Sequence, residues 1–133
     1  MFDLDRSKVN LRDQILFGED YDPQKYFGGV RHFKGLAADK CKTLIDNNLL
    51  SPNDSQNDSP TAEEMYEYIR CYPECTCHGY AVSPDRNDYR ISLEGVEFNG
   101  RDVELDMVID FVNTFRYADE LTVDRNSLYC WYD

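Results

Sequence analysis

Cys71, Cys75, Cys77 and His78 fall within eight consecutive positions. Thiolate and imidazole are the ligands that zinc prefers, and four of them close a tetrahedron. The residue types fit a metal; the spacing does not. No Cys-x2-Cys knuckle is present, and Cys77 and His78 are neighbours. Neighbours in a strand point to opposite faces, so the two cannot readily share one ion. Cys75 and Cys77 are therefore expected to face inward as small apolar residues. No metal and no other cofactor is expected. A small metal- or thiol-dependent protein centred on Cys75, Cys77 and His78 stands as an alternative.

Other chemistry finds little support. Nucleophilic catalysis needs a nucleophile, a base and an orienting group. The only imidazoles are His32 and His78, and no local signature surrounds either. The chain has no glycine-rich phosphate loop. Asn53, Ser55, Asn57, Ser59, Thr61 and Glu64 track the oxygen positions of a calcium loop, but Asp58 stands where glycine makes the sharp turn. That segment reads as a helix cap. Asp85, Arg86, Asp88 and Arg90 read as a salt-bridged hairpin tip. No catalytic residue is assigned, and the reading leans away from an enzyme.

The acids are more informative. The net charge is −12. Residues 1–50 hold eight acids and eight bases, whereas residues 51–133 hold eighteen acids and six bases. Such a field repels nucleic acid and anionic membranes and attracts basic surfaces. Glu63, Glu64 and Glu67 share one helix face. Glu104, Asp106 and Asp110 share another, and Asp119, Glu120 and Asp124 cluster beyond it. With Tyr68, and with Tyr117 and Trp131 nearby, these acids would frame aromatic anchors for a basic protein.

The expected function is that of a small non-catalytic binding protein, such as an inhibitor or an immunity or anti-defence protein. It would dock on a basic surface of a toxin or nucleic-acid-binding partner. No direct contact with nucleic acid or membrane is expected. The alternative is an accessory or housekeeping domain whose acidity serves solubility, in some settings as a homo-oligomer built on its ten tyrosines.

The elements that must position these residues follow from periodicity and punctuation. Residues 1–35 read as a less regular segment, with Val9, Leu11 and Ile15 to Phe17 as a short helix or strand and Gly18 to Gly29 as a loop. Leu36 to Asn48 reads as an amphipathic helix. A second helix starts near Ser59 or Thr61, where Glu64 completes a capping box, and stops at Pro73. Thr76 to Val82 and Tyr89 to Phe98 form a hairpin, with a bulge at Gly95, and Asn99-Gly100 ends the second strand. Asp102 to Arg116 is a third helix, apolar over a broad face and so expected to be well buried. Leu121 to Val123 and Leu128 to Trp131 form two short strands. The order α-α-β-β-α-β-β predicts one α+β domain over residues 1–133 with a mostly antiparallel sheet. No stretch reaches the ~20 apolar residues of a membrane span. Met1 to Arg6 carries no export pattern, so a cytoplasmic setting with free thiols is expected.

Overall fold

The structure, a computed structural model, describes residues 4–98 and 100–133. Its elements run α1 (Val9–Phe17), β1 (Val30–Leu36), α2 (Ala38–Asp46), α3 (Ala62–Cys71), β2 (Cys75–Val82), β3 (Ile91–Phe98), α4 (Leu105–Phe115), β4 (Glu120–Val123) and β5 (Leu128–Trp131). The five strands form one antiparallel sheet in the order β1-β2-β3-β5-β4. The fold is α+β, as the element order predicts. Among the described residues, no helix is long and apolar enough to cross a membrane.

The helices pack on one sheet face. The core there joins Phe33 and Leu36 of β1, Cys75 and Cys77 of β2, Leu93, Val96 and Phe98 of β3, and Leu128 and Cys130 of β5. Against them lie Cys41 and Leu44 of α2, Met65 and Ile69 of α3, and Met107, Phe111 and Phe115 of α4. Each large apolar side chain so buried contributes about 1.5–3 kcal/mol before the entropy of ordering is charged against it.

Local signals set the boundaries. Thr61, not Ser59, caps α3: its hydroxyl accepts from Glu64 N–H at 3.2 Å, and the Glu64 carboxylate accepts from Thr61 N–H at 3.1 Å. Ser59 instead closes a turn, accepting from Gln56 N–H. The bulge forms where His78 faces Gly95 and Gly79 faces Leu93, leaving Glu94 as the extra residue of β3. Asn99, read as the residue ending this strand, lies outside the described residues.

Two expectations are corrected. The helix expected from Leu36 begins at Ala38, and Val30–Leu36 before it is an edge strand. β1 slips register between Phe33 and Leu36, where Gly35 takes a φ of 73°. Its two buried residues are therefore three apart, which hides the two-residue period of a strand. The third helix starts later than expected, at Leu105, and is half covered rather than well buried. Met107, Phe111 and Phe115 are enclosed, but Leu105, Ile109 and Val112 are exposed at 72%, 48% and 37%.

Candidate functional site

Tyr68 draws the two acidic helices together. It was expected on the surface; it is buried beneath it. Its hydroxyl donates to the Met107 carbonyl at 2.9 Å, and its ring meets Phe111 and Phe115 edge-on. Tyrosine serves here because it fills the core and supplies one donor at the helix junction. Above it α3 and α4 leave an open groove of about 600 Å³.

Glu63, Glu64 and Glu67 line one wall of this groove, and Asp110 and Thr114 the other. The helical spacing 63, 64, 67 keeps the three glutamates on one face. Tyr72 spans the groove: its hydroxyl donates to the Asp110 carboxylate, and the Asp106 carbonyl lies 3.4 Å away. That hydrogen bond to Asp110 pushes the Tyr72 phenol up to about 12, so the bridge stays protonated and intact at neutral pH. Glu67 is paired with Arg70 at 2.7 Å, with both side chains half exposed; such a pair is worth under about 1 kcal/mol and yields readily to a competing cation. Glu63 is exposed, and Cys71 places a free thiol on the same rim.

The ten residues expected to bind a partner thus divide. Glu63, Glu64, Glu67 and Asp110 converge on the groove, Asp106 sits at its end, and Tyr68 lies under it. Glu104 precedes α4 as its N-cap. Asp119, Glu120 and Asp124 are on the far sheet edge, around β4. There the Asp119 carboxylate accepts from Asp133 N–H at 2.8 Å, and Asp124 holds the β4–β5 turn. The acids therefore form two separate surfaces rather than one.

The cysteine cluster takes the arrangement that strand alternation requires. Cys75 and Cys77 face the core, and His78 faces the opposite side of the sheet. All five cysteines are free thiols, and Cys71 alone is exposed. Burial pushes the thiols of Cys41, Cys75 and Cys130 up to about 12 and raises that of Cys77 well above its ordinary value. Thiols so buried stay protonated at neutral pH and are poor nucleophiles. Among the described residues, no group of three His, Cys, Asp or Glu side chains is placed to hold a metal ion.

One arrangement was not foreseen. His78 lies flat on Tyr129, with ring centroids 5.1 Å apart and planes 3° from parallel. Its Nε2 donates to the Cys130 carbonyl at 2.9 Å; a carbonyl only accepts, so the proton is on Nε2. Trp131 donates to Glu94 at 3.1 Å, and His32 approaches the other Glu94 oxygen at 3.6 Å. These residues line a shallow concavity of about 360 Å³ on the helix-free sheet face. Alternation in β2 and β5 put His78 and Tyr129 on that face; the bulge that lets His78 reach across β3 is what the sequence pattern could not supply in detail.

Compared with known proteins, the chain matches no family model, no curated protein and no solved structure.

Proposed function

We propose that this protein is a non-catalytic binding protein that docks on a basic protein surface through the groove between α3 and α4. The observation that carries this reading is the convergence of Glu63, Glu64, Glu67 and Asp110 on one groove. Those carboxylates come from two helices far apart in the chain, and Tyr72 fixes the spacing between them. Basic side chains entering the groove would displace Arg70 from Glu67 and meet the exposed Glu63. Complementary charge would speed the encounter. Inhibition of a toxin or of a nucleic-acid-binding enzyme is the role this surface suits best, because such partners expose concentrated positive charge.

The test is a nuclear magnetic resonance titration with a lysine- and arginine-rich helical peptide at low and moderate salt. The expected shifts concentrate on α3 and α4, and they weaken in a Glu63→Gln, Glu67→Gln variant. Shifts spread evenly over all acidic segments would support the alternative, a domain whose acidity is general and has no dedicated surface.

A further inference from the structure

Among the described residues, the sheet ends at β4, which is an edge strand. Among the described strands β4 pairs only with β5. Asp124 N–H donates to the Ser127 carbonyl at 2.9 Å, which fixes the alternation of the ladder. Thr122 and Glu120 then turn their main-chain groups toward β5, and Leu121 and Val123 turn theirs outward. The side chains of Leu121 and Val123 point the other way in the pleat, to the helix-bearing face, opposite the buried Cys130 and Leu128. Yet Leu121 is 38% exposed and Val123 44%.

The reason lies in the helix layer. α3 packs on β2 and β3, and α4 packs on β5. At about 100° per residue, Val112 and Leu105 lie on the flank of α4 opposite Asp110, which faces α3. That flank is the β4 side. Exposed apolar side chains therefore stand on both sides of the step from α4 to β4, Leu105 and Val112 on the helix and Leu121 and Val123 on the strand. A sheet edge is usually blunted by lysine, proline or a bulge. Glu-Leu-Thr-Val has none of these; its protections are its short length and the charge of Glu120.

We infer that this edge accepts an extended segment of a partner protein as an added strand, with apolar side chains seated against Leu121 and Val123 and lysine or arginine side chains on the other face. Strand addition suits the geometry, because unpaired main-chain groups supply affinity and alternate side chains supply specificity. Charge selects the occupant. Asp119, Glu120 and Asp124 bracket the strand, and Arg125 is the single base among residues 119–133. A second copy of the chain would add the same three acids to this edge, and the two-fold register centred on Thr122 would set Glu120 directly opposite Asp124, which is destabilising. A basic segment meets them favourably. This surface is separate from the groove, since it occupies the opposite flank of α4.

The test uses the full chain and a synthetic octapeptide of alternating valine and lysine. Amide exchange at Leu121 and Val123 is expected to slow at least about tenfold on binding, and a Leu121→Thr, Val123→Thr variant to bind about tenfold more weakly. Glu63→Gln with Glu67→Gln is expected to leave this binding unchanged. Absence of binding up to about 1 mM peptide overturns the inference. So does binding that persists undiminished in the threonine variant, because the peptide would then be held by charge alone. A concentration-dependent dimer of the free chain that is lost in the threonine variant also overturns it, in favour of a second copy.

Discussion

Arg12 and Asp13, adjacent on α1, form an ion pair with no exposed surface: the guanidinium Nε lies 2.9 Å from the carboxylate. The remaining groups are also satisfied. Arg12 donates to the Val82 carbonyl and to the Tyr26 hydroxyl, each at 2.8 Å, and Tyr26 donates to Asp13 at 2.6 Å. The guanidinium also lies 4.8 Å from the centroid of the Tyr89 ring. This network ties α1 to the end of β2.

Removing one partner of that pair leaves an uncompensated buried charge. Arg12→Ala is expected to lower stability by about 3–5 kcal/mol, a cost set mainly by the stranded Asp13 carboxylate. A double variant, Arg12→Met with Asp13→Leu, is expected to lose much less, because neither charge remains. Urea denaturation of the three chains measures this. Equal losses in the single and double variants would mean that packing around α1, rather than the pair, sets the stability.

The network also marks where the sequence stops being legible. α3 was readable because Thr61, Glu64 and the 62, 65, 69 spacing of its buried residues are all local. The β2–β3 hairpin was readable for the same reason, down to the bulge beside Gly95. Nothing local in the sequence marks Arg12 and Asp13, since their partners Tyr26 and Val82 are brought in by the tertiary fold. The groove was half legible: periodicity placed Glu63, Glu64 and Glu67 on one face, but the tertiary contacts Tyr68–Met107 and Tyr72–Asp110 are what set Asp110 opposite them. Tyr68 itself was misread, because a tyrosine packed in a core and one at a binding surface have the same sequence pattern.

Thiol reactivity separates Cys71 from the rest. With Cys71 exposed and Cys41, Cys75, Cys77 and Cys130 buried, a thiol reagent such as dithionitrobenzoate at mildly alkaline pH is expected to label one cysteine quickly. The other four are expected to react only at the rate of unfolding. Cys71→Ser removes the fast phase. Two or more fast thiols in the native protein would contradict this placement.

Those same buried thiols make stability fall in alkali. In the native chain Cys41, Cys75 and Cys130 are raised to about 12, above their unfolded value, by burial. A raised acid favours the fold fully below its unfolded pKa, which is about 8.5 for a thiol. The contribution is lost as pH climbs from there through the native value of about 12, because the unfolded chain then releases protons that the native one retains. Tyr26 and Tyr68 are shifted upward by burial as well, and they act with the same sign above about 10. Denaturation midpoints measured between about pH 8 and pH 11 are expected to fall steadily. A Cys41→Ala variant is expected to show a shallower slope, and an unchanged slope would remove Cys41 from this account.

Gly95 decides whether His78 can reach Cys130. A β-carbon added at Gly95 would stand 1.9 Å from the Cys130 carbonyl oxygen and 2.7 Å from His78 Nε2. Both separations are below any real contact of that kind, so β3 and β5 would have to part. The bulge keeps the two strands from pairing regularly here, and Val96 N–H donates to the Cys130 thiol at 3.3 Å instead of to a carbonyl. Gly95→Ala is therefore expected to cost about 1–3 kcal/mol through overpacking, and about 1 kcal/mol more if the His78 hydrogen bond breaks. His78→Ala alone is expected to cost only about 1 kcal/mol. Placed in the His78→Ala background, Gly95→Ala still meets the carbonyl, so most of its cost should remain. If His78→Ala instead rescues Gly95→Ala, the imidazole and not the β5 backbone is what requires glycine at this position.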